Sequence, residues 1–191
     1  MRYENTDHDR SFFDEMAGPN NLQIVLKAAL YVEHELDSLI RASLVHPTAL
    51  AKVHLDFHKK SAITIALGLD PRLHRALNAL GTIRNTFAHQ LKAELGQSEA
   101  KNFYNAFSPA DQRIIHSHYE RLARLNDGPK FPARFSSLDP ADRFRLCAIT
   151  LRSAIIAGRL QIERAKNNSS LMLLNEVLKV ENQTKPDPKM R

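Results

Sequence analysis

From Leu73 onward the apolar residues fall at Leu77, Leu80, Ile83, Phe87 and Leu91, spacings of three and four that leave little choice of structure. At about 100° per residue these positions form one stripe along a helix, and a strand would scatter them over both faces. A similar stripe of Leu22, Val25, Ala29, Val32, Leu36, Leu39 and Ile40 follows Asn20 and Asn21, two good caps placed after Gly18 and Pro19. No period-two pattern accompanies them, so the chain reads as all-α, a single-domain helical bundle of about five to six helices.

Turn signals set the expected boundaries. The first helix should stop before Pro47, and a second should cover residues 57–67 and end at Gly68. Asp70 then caps a third helix with Pro71 at its first position, continuing to about Ala93. Gly96 and Ser98 mark a break. Ser108, Pro109 and Asp111 open a fourth helix as a capping box, expected to end near Asn126. The stretch NDGPKFPARFSSLDP reads as the longest loop, and Asp139 and Pro140 launch a fifth helix that runs to about Lys166. LMLLNEVLKV adds a short last helical piece. Residues 1–19 are expected to be flexible or partly helical, residues 20–180 to form the bundle, and residues 181–191 to be a disordered tail.

Composition narrows the function classes. Hydrophobic residues make up 43% and charged residues 25% of 191 residues, and no apolar run is long enough for a membrane span. The polar start, MRYENTDHDRSFFDE, lacks the features of a secretory signal, so the chain is expected to remain in the cytoplasm. Cys147, the single cysteine, lies in the apolar run LCAITL and reads as a small buried hydrophobe. A net charge of +6 and a pI near 9.6 favour polyanionic partners.

Within the third helix, Arg84, Asn85 and His89 interrupt an otherwise orderly pattern. Arg84 lies about 40° from the centre of the apolar stripe, where a guanidinium needs a partner. Asn85 and His89 are one turn apart and share an adjoining face, while Gly81 and Ala88 form a low ridge that lets another helix approach. Arg84 and His89 are separated by about 140°, too far to meet on one regular helix. Two copies packed across a twofold axis would gather both sets into one polar cleft. The alternative reading pairs Arg84 with Glu33 or Asp37 of another helix.

The hexapeptide R-N-T-F-A-H, residues 84–89, resembles the arginine, polar residue, spacer, histidine signature of HEPN-superfamily ribonucleases. The longer stretch LDFHKKSAITIALGLDPRLHRALNALGTIRNTFAHQL also resembles the mannitol-operon repressor (MltR-like) family. The first resemblance implies a metal-independent RNA endonuclease acting as a dimer, with Arg84, Asn85 and His89 as its catalytic group. The second implies a non-catalytic transcriptional regulator without an obvious DNA-reading element. The expected partners are a second copy of the chain and RNA ahead of DNA, with a protein such as an antitoxin as a further option. No metal, cofactor or membrane enters either reading.

The chemistry suits these residue types. Cleaving RNA through its own 2′-hydroxyl needs a proton acceptor, a proton donor and positive charge on the phosphorus oxygens. Imidazole does the first two near neutral pH, and guanidinium supplies the third. Arg145, Arg152 and Arg159 recur every seven residues and form a candidate nucleic-acid-binding row, against the plainer reading of a solvated face in which Arg159 pairs with Glu163. His54 and His58 have the i, i+4 spacing of helical metal ligands but lack an accompanying carboxylate motif. His116 and His118 are assigned no role. Residues 62–77 imitate a helix-turn-helix around Gly68, although the second helix spends one face on its apolar stripe.

Overall fold

A computed structural model describes residues 7–50, 52–90, 93–125, 132 and 134–184. Among them are seven α-helices and no strand: α1 (Asp7–Met16), α2 (Asn21–Ser43), α3 (Phe57–Ala66), α4 (His74–His89), α5 (Gln97–Asn105), α6 (Pro109–Leu125) and α7 (Pro140–Thr184). The all-α class is as expected, with more helices than the sequence suggested. No helix among the described residues is long and apolar enough to cross a membrane.

The centre is the pair α2 and α7. The helices α1, α3 and α4 pack around α2, whereas α5 and α6 lie against α7. The α2 stripe is buried as expected at Val25, Ala29, Val32, Leu36, Leu39 and Ile40, but Leu22 in the first turn is exposed. From the other side come Phe144, Cys147, Leu151 and Ile155, each fully enclosed. Burying side chains of this size stabilises the fold by about 1.5–3 kcal/mol apiece. Burial also pushes the Cys147 thiol well above its ordinary pKa, which leaves it a packed, protonated hydrophobe.

The helix starts follow local chemistry. Asn20 accepts a hydrogen bond from the Gln23 amide at 3.2 Å, and Asp56 accepts one from the Lys59 amide at 2.9 Å. At α6, Ser108 Oγ accepts from the Asp111 amide and donates to the Asp111 carboxylate. Gly68 ends α3 with φ of 109°, a left-handed conformation that side chains resist. A short 3-10 turn, Pro71–Leu73, then leads into α4, with Asp70 accepting from the Arg72 amide at 3.0 Å.

Several boundaries differ from expectation. Within the N-terminal segment expected to be flexible or partly helical, residues 7–16 form α1, which brings Phe12 and Met16 into the core. The break expected at Gly96 is the start of α5, where the Glu99 carboxylate accepts from the Gly96 amide at 3.1 Å. The third helix ends at His89 instead of Ala93, and Leu91 lies outside the described residues. The fifth continues through Lys166 and the expected last segment to Thr184. Part of the loop, residues 126–131 and 133, and residues 185–191 of the expected tail lie outside the described residues.

Candidate functional site

The α4 stripe is buried at Leu73, Leu77, Leu80, Ile83 and Phe87, which fixes how its other faces are presented. Arg84, beside that stripe, emerges half-buried at its edge, and Asn85 and His89 are exposed. Arg84 Nη1 donates to Asn85 Oδ1 at 3.0 Å. No carboxylate among the described residues forms an ion pair with Arg84. The two expected alternatives, Glu33 and Asp37, are held by Lys60 instead, at 2.7 and 2.8 Å. Burial alone would lower the Lys60 pKa, but the two carboxylates together raise it, so the group stays cationic.

Arg84 and Asn85 line a cleft of about 210 Å³ between α4 and the start of α3, where Glu33, His54, Asp56 and His58 also contribute. Gly81 makes this approach possible, because a Cβ placed there would lie 3.0 Å from both the Phe57 and His58 rings. The low ridge expected to receive a second helix is therefore filled at Gly81 by the chain's own α3, while Ala88 remains exposed. His58 Nδ1 faces Asn78 Oδ1 at 3.4 Å, and Asn78 Nδ2 faces His74 Nε2 at the same distance, a polar chain along the rim. The Lys59 amide and ammonium both favour ionised Asp56, holding its pKa below the ordinary carboxylate range.

His89 does not line this cleft. It is the last residue of α4, where Gln90 donates its amide to the Thr86 carbonyl. One chain thus gathers Arg84 and Asn85 but leaves His89 apart, as the 140° separation requires.

The expected arginine row needs correction. Arg152 is 4% exposed and donates to Glu35 at 2.7 Å, with its guanidinium 4.7 Å from the Phe12 ring centroid and 5.8 Å from that of Tyr31. Arg145 donates to the Met16 and Gly18 carbonyls and pairs with Asp142. Arg159 lies 3.8 Å from Glu35 and 3.6 Å from Glu163, the second contact being the expected one. The row faces inward, tying α7 to α1 and α2. A charge enclosed like Arg152 cannot reach a phosphate backbone.

His54 and His58 do not gather enough donors for a metal: no group of three or more His, Cys, Asp or Glu side chains suited to one occurs among the described residues. His116 and His118 are half-buried, His116 against Tyr104 Oη at 3.0 Å and His118 against Thr150 Oγ1 at 3.2 Å. Sequence reasoning missed His54 and His58 as residues sharing a cleft with Arg84. The available signal was Gly81, the one α4 position on that side without a side chain.

Compared with models of known protein families, with curated proteins and with solved structures, the chain matches none.

Proposed function

We propose that this chain is a HEPN-like endoribonuclease that cleaves RNA by side-chain chemistry, with its reacting groups assembled between two copies. The observation that carries the reading is the open pair at residues 84 and 85: a half-buried guanidinium braced by an amide and not neutralised by any described carboxylate. Maintaining a charge there without a carboxylate suits a mobile anionic partner such as a phosphodiester.

In this reading Arg84 binds the non-bridging phosphate oxygens and offsets the charge that builds on them. Asn85 accepts from Arg84 through Oδ1, which leaves its Nδ2 hydrogens to orient the same phosphate. His89 of the second copy moves the protons: it takes the one on the 2′-hydroxyl as that oxygen attacks phosphorus, or returns one to the departing 5′-oxygen. The P–O5′ bond breaks, giving a 2′,3′-cyclic phosphate and a 5′-hydroxyl.

A second reading, a non-catalytic MltR-like regulator, is favoured by one feature. Arg72, His74 and Arg75 are exposed at the start of α4 after the Gly68 turn, where a DNA-reading helix would carry its contacts. One experiment separates the two readings: structured RNA incubated in EDTA with wild type, Arg84→Ala and His89→Ala. Cleavage by wild type alone, ending in cyclic phosphates, is expected. Intact RNA throughout, together with selective binding of a DNA duplex, would favour the regulator.

A further inference from the structure

Next to the Arg84 cleft lies a cavity of about 540 Å³, roofed by residues 47–50 and 53–55 over the last turns of α2. Three residues, Glu33, His54 and Leu55, line both spaces, so the two adjoin. Its apolar lining comes from both sides, Ile40 and Leu44 at the end of α2 and Pro47, Leu50 and Val53 in the roof. Glu33 and Asp37, one turn apart on α2, also line the cavity, with the Lys60 ammonium in direct contact with both.

The carboxylates are only partly engaged. Glu33 meets Lys60 through Oε1 and Asp37 meets it through Oδ2, which leaves Glu33 Oε2 and Asp37 Oδ1 as acceptors. Apolar surface beside carboxylate oxygens with free lone pairs, and next to a phosphate site, has the chemistry that takes an unstacked base by its Watson–Crick edge, with Lys60 and Arg41 also on the lining.

Resting on the ribonuclease reading for the phosphate site, we propose that this cavity binds the base next to the scissile phosphate and selects guanine. Guanine alone among the four RNA bases offers adjacent N1–H and N2–H donors with no acceptor between them, the pattern a carboxylate accepts. Adenine and cytosine place a ring-nitrogen acceptor beside a single amino group, and uracil flanks its one N–H with two carbonyls. For those three bases a carboxylate meets at least one repelling lone pair. Arg84 and Asn85 hold the phosphate, His54 stands at the junction, and the base lies against Leu44 and Val53.

The test is binding of the four ribonucleoside monophosphates, 3′ and 5′ isomers, by isothermal titration at moderate salt. Guanosine monophosphate is expected to bind at least about tenfold more tightly than the others, the ratio one discriminating hydrogen-bonded pair supplies. Asp37→Asn should erase that preference, and Val53→Trp, a replacement at a half-exposed position, should block binding by filling the cavity. Arg84→Gln should weaken the nucleotide but leave guanosine itself unchanged. Equal affinity for all four nucleotides, or no binding by wild type, overturns the proposal, and so does a guanine preference that survives both cavity variants. The two readings fail separately. RNA cleavage without guanine preference refutes this cavity assignment alone, whereas selective guanosine binding without cleavage upholds it and refutes the ribonuclease.

Discussion

Arg84 and Arg152 both sit on long helices beside apolar stripes, yet their surroundings give them opposite roles. Arg152 is enclosed with Glu35 at 2.7 Å, so truncating it leaves a buried carboxylate short of its main partner. Arg152→Ala should therefore destabilise the fold by about 3–5 kcal/mol, read as a lowered urea midpoint. Arg84→Ala removes no ion pair from the described residues and should change stability by no more than about 0.5 kcal/mol. In the same variant RNA cleavage should fall by about 100- to 1000-fold, the loss expected for one transition-state donor. An Arg84 variant that unfolds as readily as the Arg152 one would mark residue 84 as structural. The sequence made Arg84 conspicuous because three polar residues interrupt one stripe within six positions. It misled at Arg152, since the seven-residue repeat of arginines has nearly the period of the core stripe itself. What separates the two cases is Glu35, 117 residues away and invisible to any reading of one helix.

At the scale of elements, what was legible depended on how strongly each helix announces its ends. Ser108 and Asp111, Asp70 with Pro71, and Asn20 each mark a start that the structure keeps. Helix α5 was missed because its nine residues bury little beyond Ala100 and Phe103, and its opening glycine resembles a break. Helix α7 outran its expected end because residues 167–170, though polar, contain neither proline nor glycine to stop it. The approach of α3 to α4 has a sharper dependence, since Gly81 lies directly under Phe57 and His58. Gly81→Val should force the two helices apart, costing about 1–3 kcal/mol by thermal melting and lowering cleavage through the displaced His58 side of the cleft. The start of α3 carries a pH dependence of definite sign. Asp56 has a depressed pKa in the fold, so its contribution is present above the ordinary carboxylate range and is lost as pH falls through the folded value. Asp56→Asn removes the titrating charge. Wild type should exceed this variant in melting temperature at neutral pH, and the gap should close as the solution is acidified below about pH 4. A gap that stays constant to pH 2.5 would assign the difference to something other than ionisation.

For the whole molecule, the deciding fact is that one copy leaves His89 outside the cleft that Arg84 and Asn85 line. Under the proposed reaction a second copy would complete the site, and the exposed Asn85, Ala88 and His89 of α4 are where copies would meet. With Arg145, Arg152 and Arg159 engaged inside the chain, Arg84 is a half-buried cation that no described carboxylate pairs with, and the exposed Arg72 and Arg75 lie further along at the start of α4. Complementation between inactive variants tests the arrangement. In a dimer that shares its site, Arg84→Ala and His89→Ala chains mixed after dissociation re-form heterodimers in which one chain gives the guanidinium and the other the imidazole. Random pairing makes half of the dimers mixed, each with one competent site of two, so activity should recover to about a quarter of wild type. Neither variant alone should show this, and the recovery should rise with protein concentration and vanish on dilution below the dissociation constant. If sedimentation shows mixed dimers and activity stays at the level of the separate variants, the shared site is wrong. His89 would then have to act within its own chain, by an unwinding of the last turn of α4 that brings the ring to the Arg84 side.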